Sequence, residues 1–272
     1  MKLGIYYYKT VPESQKMALI LSEALKSDGF EVTTITSVNA IKGVDVLVVL
    51  GGDGTMLSAA IACGQRGIRI VGVNYGHLGF LTEFECGEWR EVIHFLSSGA
   101  LKTDKRSAMK ISLDNKDFYA LNEVVIQRRH DDTVHRQIIA LRAEIDGKLL
   151  DRYAADGLIV CTPTGSTAYA LSAGGAILSP DMDAFMATPI CAHTLKSRPI
   201  VYNDKRELTI SLSSGYTADV YCDGKRAGTM TDQTQLTVTK ADFTVDFLTR
   251  EEKNFYDKLF YKMSQWGGGT EL

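Results

Sequence analysis

A turn of small residues at positions 51–55, with the sequence GGDGT, follows a run at 44–50 that is apolar at nearly every position. Such a run is typical of a parallel strand that is covered on both faces. Ligands of open α/β sheets bind beyond the carboxyl ends of these strands, where glycines let the backbone approach an anion and present its N–H groups. The pattern predicts phosphate binding by Gly51, Gly52, Gly54 and Thr55, with Thr55 also capping the following helix.

Asp53 is the odd member of this turn, because a carboxylate beside a triphosphate is repulsive unless it has a chemical role. It could hold Mg²⁺ indirectly, or orient and deprotonate a hydroxyl that attacks a γ-phosphoryl group. Phosphoryl transfer has a loose transition state, so positioning contributes more than base strength. A Gly-Asp-Gly cluster is also a common tight turn, and both interpretations stay open at this point.

A second turn of small residues, Thr162-Pro163-Thr164-Gly165-Ser166-Thr167-Ala168-Tyr169, follows the apolar residues 157–160. It offers several hydroxyl groups and, at Tyr169, an aromatic face. One interpretation is a helix N-terminus with Ser or Thr caps, and another is a binding loop. Both can hold together, because the start of a helix also presents N–H groups to a ligand.

The first third of the chain alternates strand-like and helix-like segments. Strands are predicted at 3–8, 30–35, 44–50 and 68–73, and helices from Pro12, at 56–63 and at 89–96. This alternation predicts a parallel, doubly wound α/β sheet.

From residue 101 onward strand-like segments dominate, at 109–113, 118–127, 138–145, 208–212 and 235–239. Asp146-Gly147 and Asp223-Gly224 each predict a hairpin turn, and residues 255–266 are helical in pattern. We therefore expect an α/β lobe at 1–100, a β-rich lobe at 101–247 that binds the substrate, and a C-terminal segment at 248–272 whose helix packs on the first lobe.

Composition excludes several classes of protein. The 272 residues are 45% hydrophobic and 23% charged, with a formal net charge of −3 and no basic stripe, so nucleic acid is not an expected partner. The apolar runs are far shorter than the ~20 residues of a membrane-spanning helix, and residues 3–8 are too few for the core of a secretory leader. Five cysteines without a CxxC pair predict free thiols and a cytoplasmic protein.

Four motifs occur along the chain: GGDGT at 51–55, Asn74-Tyr75-Gly76-His77-Leu78-Gly79-Phe80-Leu81, the pair Asn122-Glu123, and the segment from Asp156-Gly157 to Tyr169. In this order, and over essentially the whole chain, they resemble the bacterial NAD kinases. The resemblance implies transfer of the γ-phosphoryl group of ATP, or of inorganic polyphosphate, to the 2′-hydroxyl of the adenosine ribose of NAD. Diacylglycerol kinases, sphingosine kinases and phosphofructokinases are similar only at the GGDG turn.

The resemblance also implies roles for individual residues. Asp53 takes the position of the general base and ribose ligand, and because a carboxylate is a weak base for a ribose hydroxyl, proton transfer is expected to lag behind P–O bond breaking. Phe80 lies where the family packs an aromatic ring beside the adenosine, and Asp156 lies where it places a carboxylate near the nicotinamide amide. Backbone groups at Cys191 are implied at the nicotinamide end, in the same or a neighbouring subunit. The implied NAD contacts are Asp53, Gly54, Phe80, Asn122, Glu123, Asp156, Ser166, Thr167, Ala168, Tyr169, Ser172 and Cys191.

Mg²⁺ or another divalent metal is implied as a cofactor that is held mainly by the ATP phosphates, with no metal ligands from the protein. NAD and ATP are the implied small-molecule partners, and family members assemble into homodimers or homotetramers. The chain departs from many relatives at Ala154, where they carry an arginine, and at Lys225, where some place a glutamine that touches NAD.

Two other functions fit part of the sequence. A lipid kinase of the diacylglycerol type would share the GGDGT turn, but it would need an apolar pocket or a membrane-facing surface. The second is a non-catalytic NAD-sensing module. The presence of Asp53 argues against it, because a protein that only binds NAD would lose an unfavourable charge if Asp53 were replaced. ATP and polyphosphate as donors, and NAD and NADH as acceptors, remain alternatives at this point.

Overall fold

A computed structural model describes residues 1–75, 79–129, 138–194, 196–250 and 255–266. The chain divides into two compact units, Met1–Arg106 with Phe243–Leu272, and Ser107–Asp242. Residues 76–78, in the middle of one predicted motif, lie outside the described residues.

The first unit contains a parallel sheet with helices between its strands. The strands are β1 (Lys2–Tyr7), β2 (Glu31–Ile35), β3 (Val46–Leu50), β4 (Arg69–Asn74) and β5 (Phe84–Glu85), and the helices are α1 (Pro12–Ser27), α2 (Asp53–Gly64) and α3 (Trp89–Ser98). Four strands pair in the order β4-β3-β1-β2, all parallel, and β5 pairs with β4. All five residues of β3 are buried, as the apolar run predicted. The predicted α/β part of the fold is confirmed.

The second unit is rich in strands. Its elements, with β6 and β17 crossing the unit boundary, are β6 (Lys102–Leu113), β7 (Lys116–Ala120), β8 (Glu123–Arg128), β9 (Ile139–Ile145), β10 (Lys148–Ala155), β11 (Gly157–Cys161), the short helix α4 (Tyr169–Ser172), β12 (Ala184–Ile190), β13 (Ile200–Asn203), β14 (Leu208–Leu212), β15 (Ala218–Cys222), β16 (Lys225–Met230) and β17 (Gln235–Thr249). One antiparallel sheet has the order β13-β12-β11-β8-β15-β16. In a second antiparallel set, β10, β9, β14 and the first part of β17 pair in that order.

An apolar core joins the two sets of strands in this unit. Val124 and Val160 from the first sheet lie in one buried cluster with Leu141, Ile210 and Leu236 from the second. Buried and half-buried residues alternate along β14, so one face of the strand lies in this core and the other is partly open. The predicted β-rich part of the fold is confirmed.

Both predicted Asp-Gly hairpins are present. Asp146 and Gly147 join β9 to β10 with φ of 49° and 73°, and Asp223 and Gly224 join β15 to β16 with φ of 47° and 74°. Two consecutive residues with positive φ are typical of the type I′ turn, whose twist matches that of a hairpin.

One predicted strand is wrong in its extent. The segment at 118–127 forms two strands, β7 and β8, which are separated at Leu121 and Asn122. The amide N–H groups of both residues are bonded to the Asp223 carboxylate instead of a neighbouring strand. A side chain that is distant in the sequence therefore interrupts a segment whose own composition is continuous and strand-like.

The C-terminal helix α5 (Phe255–Trp266) belongs to the first unit, as predicted. Its outer surface is apolar, with Tyr256, Phe260, Tyr261 and Met263 all between 49% and 77% exposed. Among the described residues, no helix combines the length and the apolar character that crossing a membrane requires.

Candidate functional site

Asp53 lies just beyond the carboxyl end of β3 and is the first residue of α2. Its Oδ2 accepts a hydrogen bond from the backbone N–H of Phe80 at 2.8 Å, and its Oδ1 accepts one from Leu81 at 3.0 Å. Nζ of Lys262, on α5, lies 3.9 Å from Oδ2, and 35% of the Asp53 side chain remains exposed. The carboxylate is thus fixed in direction and still open to a ligand, and the structure brings the backbone N–H of Phe80 to it.

Gly79 permits the close approach of this loop to Asp53. A Cβ at Gly79 would lie 2.6 Å from Cγ of Asp53 and 2.8 Å from Oγ1 of Thr82. Side chains do not tolerate such distances, so the carboxylate itself requires glycine at this position. The sequence motif contained this glycine without a reason for it, and the reason is steric.

The glycine turn before Asp53 is partly engaged in bonds within the protein. The N–H of Gly51 donates to the Val73 carbonyl at 2.9 Å, and the N–H of Thr55 donates to the Gly52 carbonyl at 3.0 Å. The N-cap of α2 is Gly52, and no side chain caps the helix, so the prediction that Thr55 caps it is wrong. The helix starts three residues earlier than predicted, which places Asp53 in its first turn, where the helix dipole favours a negative charge.

In the second unit, Asp223 holds the predicted pair Asn122 and Glu123. Its Oδ2 accepts the N–H of Leu121 at 2.8 Å, and its Oδ1 accepts those of Asn122 at 2.9 Å and Glu123 at 3.1 Å. The N–H of Asp223 donates in return to the Glu123 carbonyl at 3.0 Å. Sequence reasoning assigned Asp223 only to a hairpin turn, and the turn signal gives no indication that its carboxylate points back to another strand.

The Glu123 side chain is buried beside this carboxylate. Only 8% of the residue is exposed, and its Oε2 has no hydrogen-bond partner among the residues that the structure describes. Burial, and then the negative charge of Asp223, raise the pKa of Glu123 from 4.5 to about 7. Burial also raises the pKa of Asp223, but its three amide donors and the charge of Lys225 oppose that shift. Glu123 is therefore the partner that holds a proton below about pH 7, and in that form it offers an O–H donor.

The loop after β11 packs directly on the same pair. The N–H of Thr162 donates to the Asn122 carbonyl at 2.9 Å, and a Cβ at Gly165 would lie 2.5 Å from the carbonyl carbon of Asn122. Ser166 is fully buried, and its hydroxyl donates to the Pro163 carbonyl at 2.7 Å and accepts the Leu178 N–H at 2.9 Å. Its hydroxyl thus closes the loop, and a contact of Ser166 with NAD stays a prediction.

Further along this loop the predicted NAD contacts are more accessible. Thr167 and Ala168 are half-buried, Tyr169 is 40% exposed, and Ser172 is exposed at the end of α4. The Thr167 hydroxyl donates to the Thr164 carbonyl at 3.3 Å. The aromatic face at Tyr169 is therefore presented to solvent at a helix start that adjoins Asn122.

Asp156 and Cys191 lie at the opposite end of the same sheet. The Asp156 N–H donates to the Ile190 carbonyl at 2.9 Å, and its Oδ1 lies 3.4 Å from Nε of Arg128. Cys191 is exposed and directly follows β12, with φ of 46°. Glu123 of β8 pairs with Cys161 of β11. Cys161 lies at the other end of β11, roughly 17 Å along the strand from Asp156. The structure does not bring these two predicted residues to Asn122 and Glu123.

Ala154, where many relatives carry arginine, borders a cavity of about 340 Å³. Arg142, Arg152 and Ser213 also line it. Arg152 and Arg142 are direct cross-strand partners, and Arg142 is held by Glu144 at 2.6 Å. Arg152 therefore opens on the same cavity as Ala154.

No cluster of three or more His, Cys, Asp or Glu side chains suited to a metal ion occurs in the described part of the chain. Asp53 is a lone carboxylate at the glycine turn, and each of its oxygens already accepts an amide N–H. One carboxylate alone does not hold a divalent ion, so a metal here would depend mainly on other ligands.

Two family models match the chain. Residues 6–100 match the ATP-NAD kinase N-terminal domain, and residues 121–249 match the ATP-NAD kinase C-terminal domain. An NAD kinase of Bacteroides fragilis is 38% identical over 233 residues, which are 84% of this chain and 78% of that relative.

Solved structures show the same fold. The yeast NADH kinase complexed with NADH has a TM-score of 0.86 at 23% identity, over 100% of this chain and 90% of that one. An NAD kinase from Archaeoglobus fulgidus in complex with ATP has a TM-score of 0.77 at 26% identity, over 96% of this chain and 98% of that one.

Proposed function

The chain belongs to the NAD kinase family, and we propose that it transfers the γ-phosphoryl group of ATP to the 2′-hydroxyl of the adenosine ribose of NAD. The observation that carries this proposal is the Asp53 carboxylate, which two backbone N–H groups fix at the carboxyl end of β3 while 35% of its side chain stays exposed. A base held in one direction can orient a hydroxyl for attack, which is the main requirement of phosphoryl transfer.

In this proposal Asp53 accepts a hydrogen bond from the sugar hydroxyl and takes its proton as the new P–O bond forms. Phe80, held to the same carboxylate by its N–H, packs beside the adenosine. Asn122 has both a donor and an acceptor for the adenine edge or ribose hydroxyls, and protonated Glu123 adds an O–H donor. The remaining proposed NAD contacts are Gly54, Asp156, Ser166, Thr167, Ala168, Tyr169, Ser172 and Cys191.

Gly51, Gly52, Gly54 and Thr55 are proposed to receive the phosphates at the N-terminus of α2. This helix has 12 residues, and the start of such a helix favours an anion. A divalent metal such as Mg²⁺, bound to the phosphates of ATP, would supply charge neutralisation. In this proposal Asp53 contacts the metal only indirectly.

The experiment is a product assay. Purified protein incubated with Mg²⁺, ATP and NAD should produce NADP, which mass analysis detects as one added phosphate, whereas diacylglycerol in place of NAD should remain unmodified. Parallel reactions with polyphosphate and with NADH identify the donor and the acceptor. If NAD gains no phosphate from any donor, the proposal is refuted.

We also propose a cytoplasmic homodimer or homotetramer. All five cysteines are free thiols, which suits a reducing compartment. In this assembly, Asp156 and Cys191 are proposed to contact the nicotinamide end of NAD that is bound to a neighbouring subunit. Light scattering coupled to size-exclusion chromatography measures the mass of the assembly.

A further inference from the structure

One face of the C-terminal helix α5 is fixed to the loop that carries Phe80. Phe255, Lys258 and Lys262 lie at spacings of three and four residues, which places them on the same face of a helix. The Phe255 ring centroid is 6.3 Å from that of Phe80. Nζ of Lys258 donates to Oε2 of Glu83 at 3.0 Å and to the Thr82 carbonyl at 3.2 Å. This part of the helix therefore has a defined position at the Asp53 site.

The third residue on that face, Lys262, brings a positive charge to Asp53. Its Nζ lies 4.3 Å from the centroid of the Phe80 ring and 3.9 Å from Oδ2 of Asp53, and only 16% of its side chain is exposed. A separation of 3.9 Å is too long for a hydrogen bond, so the ammonium acts on the carboxylate through its charge. A long, mobile side chain is held here by an aromatic face on one side and a carboxylate on the other.

We propose that Lys262 is a catalytic residue, whose ammonium group contacts the phosphoryl group during transfer and offsets the negative charge of Asp53 beside it. This inference rests on the proposed function. A hydroxyl oxygen bonded to Asp53 lies roughly 2.6–3.2 Å from the carboxylate, and the reacting phosphorus lies roughly 3–3.5 Å further on. An ammonium group 3.9 Å from the same carboxylate is within reach of the oxygens on that phosphorus.

The charges of the reaction explain why a cation is needed at this point. The bond from the terminal phosphorus to the bridging oxygen of the donor breaks, and the electron pair leaves with the nucleoside diphosphate. The sugar oxygen forms the new bond to phosphorus, and its proton passes to Asp53, while Lys262 keeps its protons throughout. Before transfer, the phosphoryl oxygens and Asp53 are both negative, so a fixed cation beside them lowers their repulsion and stabilises the charge on the transferring group.

The test compares Lys262→Met with Lys262→Arg. Methionine keeps an unbranched side chain over the Phe80 ring but removes the charge, whereas arginine keeps the charge. We expect Lys262→Met to lower kcat/KM for ATP by ~10²-fold, with the Kd for NAD and the Tm close to those of the wild type, and we expect Lys262→Arg to recover most of the loss. Lys16→Met is the matched control, because Lys16 is an exposed lysine on α1 of the same unit.

A purely structural role for Lys262 would give a different result. If Lys262→Met keeps kcat/KM for ATP within threefold of the wild type, or if arginine restores nothing, the inference is wrong. Should the methionine variant fail to fold, Lys262→Gln replaces it in the same comparison. The wild-type assay separates this failure from that of the proposed function: a wild type that makes no NADP refutes the function, whereas an active wild type with unaffected Lys262 variants refutes only the role of Lys262.

Discussion

At the scale of single residues, Asp53 has two tasks, since its carboxylate holds the N–H groups of Phe80 and Leu81 and, in the proposed function, receives the hydroxyl proton. Asp53→Asn preserves the size of the side chain but replaces one acceptor oxygen with a donor. We expect kcat to fall by ~10²-fold or more, with much of the NAD affinity retained. Steady-state kinetics and calorimetric titration with NAD check this, and a variant with unchanged turnover would remove Asp53 from the mechanism.

Glu123 gives the protein a pH-dependent stability. Its pKa is raised from 4.5 to about 7 in the folded protein, so between these values the folded state holds a proton that the unfolded chain has released. Stability must therefore fall as pH rises through that window. Glu123→Gln removes this dependence, and its free energy of unfolding relative to the wild type should rise by up to ~3 kcal/mol from roughly pH 5 to roughly pH 8.

Urea unfolding of both proteins across the pH range measures this difference. Glu144→Gln is a suitable control, because the pKa of Glu144 is lowered by its hydrogen bond to Arg142. The difference between that variant and the wild type should not rise with pH. A Glu123→Gln difference that is flat with pH would show that Glu123 ionises normally.

Among the site residues, those in contiguous motifs were predictable and those brought in from elsewhere were not. Asp53 and the glycine turn are marked by one short stretch after a buried strand, and Asn122 and Glu123 by the resemblance. The sequence around Asp223 and Lys262 does not indicate a functional role, because Asp-Gly turns and helical lysines are common on protein surfaces.

At the scale of elements, the hairpin between β15 and β16 positions the start of β8 through the three N–H bonds to Asp223. Asp223→Asn keeps the turn, since Asn-Gly suits a type I′ turn as well as Asp-Gly does. It removes one acceptor, so a buried N–H loses its partner. We expect a loss of about 1–3 kcal/mol in the free energy of unfolding and weaker binding of NAD.

Urea unfolding and titration with NAD measure these two effects. Asp146→Asn in the other Asp-Gly hairpin is the matched control, because Asp146 is exposed and pairs with Arg206 at the surface. Equal stability losses in the two variants would show that Asp223 acts only through its turn.

Most elements follow from local patterns, and the exceptions have identifiable causes. The parallel strands, the two hairpins and the C-terminal helix agree with their periodicity and turn residues. The break between β7 and β8 was missed because the Asp223 carboxylate, and no residue in the segment, ends the pairing. The sequence pattern predicts the start of α2 too late because Gly52 and Gly54 are poor helix formers. The tertiary position of the turn overrides that preference.

At the scale of the whole molecule, the prediction concerns subunits. We expect Asp156, which lies roughly 17 Å along a strand from Cys161, the strand partner of Glu123, to serve the site of a neighbouring subunit. Asp53→Asn and Asp156→Ala should each be impaired alone. Mixed and re-equilibrated subunits should regain about a quarter of wild-type activity, because one site in four then combines an intact Asp53 with an intact Asp156 from its neighbour.

The same mixture assayed before subunits exchange is the control and should stay inactive. If activity does not return after exchange, Asp156 acts within its own chain or does not act on NAD. Circular dichroism of each variant separates a lost contact from a lost fold.

The sequence by itself determined the fold class, the family and the identity of the phosphate turn, because periodicity, glycines and short motifs are local properties of the chain. Only the tertiary structure decided which distant groups surround those motifs. Asp223 bonds to a residue 102 positions away, Lys262 lies beside Asp53, and burial raises the pKa of Glu123. These contacts depend on how strands and helices pack in space, and burial and charge proximity arise only once that packing exists.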